Sequence, residues 1–521
     1  MELLDRLLEY YDLSNEEYHQ KMSYLGLGQI PNPFSKIDGF AQKIDFIKSF
    51  KGKKVVIYGD YDVDGIMSTS ILVYTLKKLD FDVGYFIPSR YEEGYGLNAS
   101  RVKQFKEKGY SLIITVDNGI AAFEEINLAL KEGLEVFVID HHEAKETLPL
   151  KEDKIIHQFV SHYVDYNISA AFLSLLVSYG LLNEYDPYLT SLASIAVISD
   201  MMPLKEANIA LLRQGITNIR RYKFLPLRYL FEANSNKPIK DIDEDDISYN
   251  IVSPLNSLGR MCRGIETNNA VKFLLSNTDK EVTRYGNFIL DINKVKKEKI
   301  KELISSLETY EKDEKIIITY IPSIDEGLVG IIANTLLSKY HKSVIVFTDK
   351  EKEEGILVGS SRSCSPFNML EMLTYCKDLL IAFGGHKNAC GASLEKKNLD
   401  KFKELVNFYL KDYVPQKIKE KTILLDVEEI NSTTFSIVDT FGPFGNDNPP
   451  PLFEINVDPS RLFYRNGHSL TKVNKDGRIV IFNYESAMLS LSRVTLKGNL
   501  KKSYFAGRYS YDLISQAYFD E

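Results

Sequence analysis

Three aspartates alternate over the five residues from Asp60 to Asp64, in the segment Gly59-Asp60-Tyr61-Asp62-Val63-Asp64-Gly65. Carboxylates this close repel one another unless a cation neutralises them, so a bound metal explains the pattern economically. The segment also opens like an EF-hand calcium loop, but that loop requires a glutamate at its twelfth position, where this chain has Ile71. The spacing therefore predicts a divalent-metal site that is not an EF-hand.

Further carboxylates and imidazoles follow three other apolar runs. Asp117 follows Leu112–Val116, Asp140-His141-His142 follows Glu135–Ile139, and Asp200 follows the helix-like run Leu192–Ile198. A single aspartate in such a position is as often a helix cap as a ligand, but four sites in one region favour a common function. Oxygen ligands together with neutral imidazole suit manganese, or magnesium less ideally. The sequence therefore predicts a two-metal site.

The elements that carry these residues alternate between short β-branched runs and longer amphipathic segments. The predicted strands are Val55–Tyr58, Val83–Ile87, Leu112–Val116 and Glu135–Ile139, and the predicted helices are Ser68–Leu79, Asn98–Glu107 and Ala121–Lys131. Strands that are apolar throughout are typical of a sheet buried on both faces, and βαβ alternation predicts a parallel, doubly wound sheet. Ligands bind such sheets beyond the carboxyl ends of the strands, where the candidate residues lie.

Three further regions follow. Asp279 to Asp313 predicts one long helix, whose lysine cluster is expected to be a solvated face rather than a DNA contact: Lys294, Lys296, Lys297, Lys299 and Lys301. A second α/β unit is predicted from strand-like Lys315–Tyr320 and Ser343–Thr348, a helix over Gly330–Tyr340 and the run Gly355–Gly359. A small β domain follows Lys421. The predicted domains span 1–50 (N-terminal segment), 51–230, 231–313 (helical connector), 314–414 and 415–521.

Composition narrows the class of protein. A chain of 521 residues is too long for one core, and a net charge of −8 is a mild argument against a nucleic-acid partner, although a groove needs only local positive potential. The N-terminus does not resemble a signal peptide, and no apolar run reaches the roughly 18 residues of a membrane span. The four cysteines lack Cys-x-x-Cys spacing and are expected to be reduced thiols. These features predict a cytoplasmic location.

Four motifs in the first α/β region form a recognisable set: Asp62-Val63-Asp64, Asp117-Asn118-Gly119, Asp140-His141-His142 and Ser199-Asp200. The set resembles the successive motifs of the DHH phosphoesterase superfamily. Later motifs are similar to those of its single-strand-specific exonucleases, with a DHH-associated (DHHA1) domain and an oligonucleotide-binding (OB) domain: Arg90 to Leu97, Asn256 to Arg260, Gly359 to Ser363, Gly384-Gly385-His386, Ala389-Cys390-Gly391, Pro443-Phe444-Gly445 and Asn448-Pro449. The resemblance covers nearly the whole chain from about Asn32 onward, and implies an OB-like barrel at the C-terminus.

The resemblance also implies roles for particular residues. Two Mn²⁺ (or Mg²⁺) ions bridged by Asp117 would activate a water for attack on phosphorus, with Asp62, Asp64, His141 and Asp200 as the remaining ligands. His142 would contact the scissile phosphate, although a structural pairing with Asp140 stays open. The residues expected to grip phosphate are Arg90, Arg260, Ser361, Arg362, Gly384, Gly385 and His386.

One position departs from the superfamily's pattern. Many members place a metal-binding histidine four residues before the first aspartate of Asp62-Val63-Asp64, where this chain has Tyr58. Phenol is a poor ligand at neutral pH, so we expect either that one metal is held less tightly or that Asp60 substitutes.

The expected function is a processive exonuclease that degrades single-stranded DNA from the 5′ end in DNA repair and recombination, with the strand in a cleft between the two α/β lobes. The alternatives are a hydrolase of short oligonucleotides or cyclic dinucleotides, which would not need the C-terminal β domain, and an inactive DNA-binding scaffold. Candidate protein partners are a RecQ-like helicase and a single-strand-binding protein, and we expect a monomer. Four C-terminal aromatics are candidates for base stacking, although core packing is favoured: Tyr504, Phe505, Tyr509 and Tyr511.

Overall fold

The computed structural model describes residues 2–24, 26–307, 315–364, 366–414, 420–465, 468–482 and 491–520, without the side chains of residues 306, 465 and 516–520. The chain divides into two compact units. The first comprises Met1–Leu255, Gly264–Asn287 and Lys421–Glu521, and the second comprises Asn256–Arg263 and Phe288–Glu420. No helix in these described ranges is both long and apolar enough to cross a membrane.

The first unit is built on a five-stranded parallel sheet in the order β2-β1-β3-β4-β5. The strands are β1 (Lys54–Tyr58), β2 (Asp82–Phe86), β3 (Tyr110–Val116), β4 (Glu135–Ile139) and β5 (Ile155–Ile156). The helices are α1 (Leu3–Tyr10), α2 (Asn15–Ser23), α3 (Pro33–Lys36), α4 (Phe40–Lys48), α5 (Val63–Lys78), α6 (Ala99–Glu107), α7 (Phe123–Lys131), α8 (Ala170–Leu182), α9 (Pro187–Ser199), α10 (Glu206–Arg221), α11 (Leu225–Asn234), α12 (Glu244–Ile247), α13 (Ser253–Met261) and α14 (Asn269–Leu274). Helix α13 continues into the second unit.

Helices cover both faces of this sheet, which confirms the predicted doubly wound architecture. On one face, Val102 and Phe105 of α6 and Ile126 of α7 pack on strand residues such as Val56. On the other face, α5 and α8 pack on the central strands. Both faces of β1, β3 and β4 are therefore buried, which explains why these strands are apolar at almost every position.

The second unit contains a mixed five-stranded sheet in the order β6-β7-β8-β10-β9, in which only β6 and β7 are parallel. Its strands are β6 (Ile316–Tyr320), β7 (Ser343–Asp349), β8 (Ile356–Arg362), β9 (Ala382–His386) and β10 (Ala389–Glu395). Helix α15 (Asp279–Ser306) leads into this unit, which also contains α16 (Val329–Tyr340), α17 (Met369–Tyr375) and α18 (Leu399–Tyr409). The predicted α/β unit is therefore present, with β8 extending three residues beyond the predicted run.

The long helix agrees with its prediction except at one lysine and at its end. Four of the five clustered lysines are exposed, as expected, but Lys296 is buried at 5% exposure. Burial, followed by the charge of Arg260, lowers the pKa of Lys296 to about 7. The solvated-face interpretation is therefore wrong for Lys296. The predicted end of the helix, residues 308–313, lies outside the described residues.

The C-terminal region forms a small β domain, as predicted. Its seven strands run in the order β11-β12-β16-β17-β15-β14-β13. The bounds are β11 (Ile423–Leu424), β12 (Phe453–Val457), β13 (Tyr464–Arg465), β14 (His468–Lys472), β15 (Gly477–Ile481), β16 (Val494–Phe505) and β17 (Arg508–Asp520), with helix α19 (Ser432–Asp439). Within residues 420–465, 468–482 and 491–520, β11 and β13 are the edges of an open sheet, so a closed barrel is not seen there.

Helix α1 is part of the core of this β domain. Leu3, Leu7 and Leu8 pack with Phe441 and Phe453 in one apolar cluster. The amphipathic pattern at the N-terminus thus serves a domain that lies more than 400 residues further along the chain. This pairing differs from the predicted separate N-terminal segment.

Candidate metal centre and active site

Four elements of the first unit direct acidic side chains to the carboxyl edge of the parallel sheet. Strand β1 leads into Asp60 and Asp62, and Asp62 is the N-cap of α5, where its Oδ1 accepts a hydrogen bond from the Gly65 amide at 3.1 Å. Asp117 follows β3 with a φ of 62°, a left-handed conformation that is uncommon outside glycine. Asp200 is the C-cap of α9.

The ligand atoms of these residues form two adjoining groups. Asp60, Asp62 and Asp117 make one group, and Asp64, His141 and Asp200 make another, with all ligand atoms in each group within 4.8 Å of one another. A third set, Asp117 with His141 and His142, joins the two. The structure therefore brings together all six sequence-predicted metal ligands, and their role as ligands stays a prediction.

His141 lies at the centre of the second group. Its Nε2 is 3.2 Å from Asp117 Oδ1, 3.5 Å from Asp200 Oδ2 and 3.7 Å from Asp64 Oδ2. Burial lowers the pKa of His141, so the ring is neutral at neutral pH and offers a lone pair to a cation. Contact with three carboxylates through a single nitrogen is the arrangement expected of a metal-binding imidazole.

Burying these carboxylates without a compensating cation is energetically unfavourable. The side chains of Asp60 and Asp117 are both buried. Among the described residues, the two carboxylate oxygens of Asp117 and one oxygen of Asp60 have no hydrogen-bond partner. Burial, followed by the charge of Asp62, raises the pKa values of Asp60 and Asp117, and burial raises that of Asp200 to about 7. A divalent cation would remove both penalties, so these residues fit a metal site.

Asp64 has a structural role as well as a possible role in metal binding. Its two oxygens accept hydrogen bonds from the backbone amides of Ala170 and Ala171, at 2.7 and 2.8 Å, in the first turn of α8. These bonds fix the carboxylate while one oxygen still lies 3.7 Å from His141 Nε2. Asp64 therefore acts as a helix cap that is held in a position where it can also bind a cation.

His142 is oriented by Asp140 and not by the acidic groups. Asp140 Oδ1 lies 2.8 Å from His142 Nδ1, while Asp140 Oδ2 accepts from the Ile120 amide at 2.9 Å. Burial lowers the pKa of His142, but the hydrogen bond to Asp140 and the negative charges of Asp140, Asp200 and Asp62 together outweigh it and raise the pKa to about 9. The side chain is 45% exposed, so a cationic imidazole faces the site.

Tyr58 does not face the metal centre. Its ring packs with Phe86 and Phe105 in the core between the sheet and α6, and its hydroxyl donates to the Gly96 carbonyl at 3.0 Å. Of the two expectations for this position, substitution by Asp60 agrees with the grouping of Asp60, Asp62 and Asp117. Arg90 lies over the Tyr61 ring at 4.2 Å, and its charge acts on Asp60, which places it beside the acidic residues.

The remaining predicted phosphate contacts lie in the second unit. Arg260 Nη1 donates to the Gly327 carbonyl at 3.0 Å, just before α16, and Arg362 Nη2 would lie 3.1 Å from a side chain at Gly330 in α16. The two arginines therefore approach the same helix start. Ser361 is buried and its hydroxyl donates to the Cys390 carbonyl at 3.0 Å, so its proton is already used within the sheet.

The Gly384-Gly385-His386 segment lies in the edge strand β9 and is exposed. Gly385 has a φ of 134°, and a side chain there would come within 2.4 Å of the Ala389 carbonyl oxygen. A glycine is therefore required at this position by the strand pairing itself. Any approach of phosphate to this segment stays a prediction.

Two residues that hold the Asp-His-His segment were not predicted from the sequence. His157 Nε2 donates to the His142 carbonyl and Gln158 Nε2 donates to the His141 carbonyl, each at 2.8 Å. Both side chains are buried. They follow β5 directly, so the same rule that found Asp117 after β3 would have found them, but β5 has only two residues and leaves no periodic signal.

Comparisons with known proteins agree with the fold and with the motifs. Residues 54–198 match the DHH family, N-terminal domain, and residues 313–412 match the DHHA1 domain. The chain is therefore similar to the DHH family in both of these regions. The match to the first domain spans the strands and helices that carry the metal centre up to Ile198.

The chain is also similar to the single-stranded-DNA-specific exonuclease RecJ. The RecJ protein of Bacillus subtilis is 32% identical over 434 residues, which are 81% of this chain, but this chain spans only about half (54%) of that relative. The RecJ protein of Haemophilus influenzae is 28% identical over 98% of this chain and 95% of its own length.

Solved RecJ structures share the fold. The RecJ structure in complex with Mn²⁺ from Thermus thermophilus has a TM-score of 0.79 at 24% identity, over 93% of this chain and 72% of that one. A further structure, described as exonuclease RecJ bound to manganese, has a TM-score of 0.61 at 27% identity, over 73% of this chain and 96% of that one. The second similarity extends to sequence as well as fold.

Proposed function

We propose that this protein is a metal-dependent exonuclease that hydrolyses single-stranded DNA from the 5′ end and releases 5′-mononucleotides. The observation that carries the proposal is the pair of adjoining acidic groups. Asp117 belongs to one of them and lies beside His141 of the other, and its two buried oxygens have no hydrogen-bond partner in the described part of the chain. The RecJ similarity supports the choice of substrate and polarity, and the manganese-bound RecJ structure supports Mn²⁺ or Mg²⁺ as the cofactor.

The acidic residues and His141 would bind two metal ions. Asp60, Asp62 and Asp117 would hold one ion, and Asp64, His141 and Asp200 would hold the other, with Asp117 next to both. Two such ions, when bound, supply Lewis-acid stabilisation to the attacking and leaving oxygens of phosphodiester hydrolysis.

His142 would act on the phosphate and not on the metals. Asp140 Oδ1 accepts a hydrogen bond from His142 Nδ1–H and helps to keep the imidazole cationic at neutral pH. The other ring nitrogen, Nε2, would then donate to a phosphate oxygen as negative charge develops there. Asp140 thus positions His142, so the structural and the catalytic interpretations of this pair are compatible.

Basic residues of each unit would bind the other phosphates of the strand. Arg90 lies beside the acidic residues in the first unit, and Arg260 and Arg362 approach the start of α16 in the second. The planar guanidinium of arginine suits bidentate recognition of a phosphate such as a terminal 5′-phosphate. The exposed Gly384-Gly385-His386 segment belongs to the proposed phosphate contacts. The Ser361 hydroxyl would join them by turning its proton from the Cys390 carbonyl to a phosphate oxygen.

The proposal includes the setting of the enzyme. We assign residues 51–230 to the catalytic domain, 231–313 to the connector, 314–414 to the DHHA1 domain and 415–521 to an OB-like domain that binds the strand. The enzyme would act as a cytoplasmic monomer in DNA repair, beside a RecQ-like helicase and a single-strand-binding protein. An open sheet with exposed aromatic side chains, such as Phe463 and Phe505, is compatible with strand binding.

A hydrolase of short oligonucleotides or cyclic dinucleotides is the second candidate, because it would use the same metal centre. It would not need the β domain, whereas the exonuclease would use that domain to bind long strands. Under either function, replacing exposed Phe463 and Phe505 should leave the hydrolysis of dinucleotides unchanged. Weaker binding of long strands would appear only if the β domain contacts them. The inactive scaffold is the weakest candidate, since all six predicted ligands lie together.

The test is digestion of single strands labelled at the 5′ or the 3′ end, with and without Mn²⁺. The wild type should release labelled mononucleotides first from the 5′ end, and only with the ion. Asp117→Asn, which keeps the side-chain shape and tolerates a positive φ, should lose at least about a thousandfold in rate. The exposed Asp45→Asn serves as the matched control and should retain full activity. Initial release from the 3′ end, or an active Asp117→Asn variant, would refute the proposal.

A further inference from the structure

The segment between β2 and α6 presents one tyrosine directly beside His142. Gly94 and Gly96, which flank Tyr95, have φ values of 78° and 87°, and a side chain built at either glycine would meet nothing within 4 Å. The buried Tyr58 holds this segment through its hydrogen bond to the Gly96 carbonyl. The space on both sides of Tyr95 is therefore open, while the backbone that carries it is anchored.

The hydroxyl of Tyr95 lies in the site, whereas much of its ring is exposed. Its hydroxyl is 3.2 Å from His142 Nδ1 and 3.3 Å from the Asp117 carbonyl oxygen. The ring centroids of Tyr95 and His142 are 5.5 Å apart at an angle of 67°. The residue as a whole is 53% exposed, so much of the aromatic face is available next to the imidazole.

Orientation of His142 does not by itself explain this residue. Asp140 already binds Nδ1 at 2.8 Å, which is closer than Tyr95, and fixes the ring without help from an aromatic side chain. A residue that only completed this hydrogen bond would gain nothing from an exposed ring. An aromatic face next to a phosphate-binding imidazole, however, is where a base attached to that phosphate would lie.

We propose that Tyr95 stacks on a nucleobase of the bound strand and so sets the position of the phosphate that reaches His142. The inference rests on the proposed function and adds to it a substrate contact that specifies nucleotides over other phosphodiesters. Stacking accepts all four bases because each has a π-face, so sequence-independent degradation is compatible with a specific contact. The hydroxyl anchors the ring to the Asp117 backbone.

The test compares Tyr95→Phe and Tyr95→Leu on strands that carry a single abasic site at the first, second or third position from the 5′ end. On normal strands, Tyr95→Leu should raise KM about tenfold and Tyr95→Phe less than twofold, because only the former loses the ring. At one abasic position the tenfold difference between Tyr95→Leu and wild type should disappear. Tyr222→Leu, at an exposed tyrosine far along the chain, is the control and should behave as wild type throughout.

Two results would overturn the inference. If Tyr95→Leu is impaired by the same factor at every abasic position, or if Tyr95→Phe is impaired as severely as Tyr95→Leu, then Tyr95 acts only through His142. Circular dichroism on both variants identifies a loss of folding, and Tyr95→Phe keeps the test valid because it preserves the packing. Absence of Mn²⁺-dependent cleavage by the wild type on normal strands is a separate result, which refutes the proposed function itself.

Discussion

At the scale of single residues, Asp117 is the position with the least structural justification of its own. A left-handed backbone and two buried carboxylate oxygens that have no hydrogen-bond partner among the described residues each cost free energy, of the order of 1–3 kcal/mol apiece. Neighbouring Asp62, Asp64 and Asp60 add electrostatic repulsion. A fold keeps such a combination when a ligand or a reaction uses it, which is why Asp117 is the variant on which the activity test depends.

The two adjacent histidines should have separable functions. His141 Nε2 contacts three carboxylates and His142 Nδ1 contacts Asp140, so His141→Ala should weaken Mn²⁺ binding and His142→Ala should not. We expect His142→Ala to lower kcat by about a hundredfold or more, as loss of a charged hydrogen-bond donor to phosphate implies. Isothermal titration with Mn²⁺ and single-turnover cleavage measure the two effects. Equal loss of Mn²⁺ affinity in both variants would contradict this division.

At the scale of elements, the turn that follows the short strand β5 holds the Asp-His-His segment through hydrogen bonds to its backbone carbonyls. His157 Nδ1 accepts from the Phe159 and Val160 amides at 3.1 and 3.3 Å, which leaves the proton on Nε2 for the His142 carbonyl. Burial lowers the pKa of His157 and keeps this ring neutral. The His142 imidazole is therefore positioned through its own backbone as well as through Asp140.

This support gives a test with a close control. In His157→Asn the amide oxygen can still accept from the turn amides, but the donor to the His142 carbonyl is lost. We expect kcat to fall about tenfold with KM and Mn²⁺ affinity unchanged, since small misplacements of a reacting group are costly. His162→Asn, at an exposed histidine of the same segment, should have no effect. A change in KM alone would mean that His157 does not act through His142.

At the scale of the molecule, the first unit joins the parallel sheet to a β domain encoded at the other end of the chain. Glu244, the first residue of α12, accepts a hydrogen bond from the Phe444 amide at 2.8 Å, next to the predicted start of the OB-like domain. Burial, followed by the charge of Asp243, raises the pKa of Glu244 from 4.5 to about 7 despite this hydrogen bond. The contact is therefore sensitive to pH.

Glu244→Gln should remove that sensitivity. Because the pKa in the folded state is raised, the carboxyl group stabilises the fold at low pH, and the contribution is lost as the pH rises from about 5 through 7. Gln keeps the acceptor without the charge, so we expect the variant to resist unfolding better at pH 8, by about 2 kcal/mol, and not at pH 5. Hydrogen exchange at the Phe444 amide reports the local effect. Equal exchange of wild type and variant at pH 8 would contradict this account.

The sequence by itself determined the parallel sheet, the presence of a second α/β unit and the acidic clusters. Uninterrupted apolar strands can only be buried on both faces, and chain direction alone brings their carboxyl ends to one edge, so Asp117 and His141 had to meet. Only the tertiary structure revealed which further side chains support this edge and which of the expected ones point away from solvent or from the site. His157 and Gln158 follow a strand too short for a periodic signal, and Tyr58 turns into the core. Lys296 is buried, although the other four lysines of its cluster are exposed.

The same distinction applies to the ends of the chain. The apolar stripe of Leu3, Leu7 and Leu8 indicated an amphipathic helix, yet its partner lies in the C-terminal β domain. Local patterning shows that the apolar face of a helix must be buried, because its exposure to water is unfavourable. It does not show against which element that face packs. That choice depends on contacts between distant residues, and only the folded chain decides it.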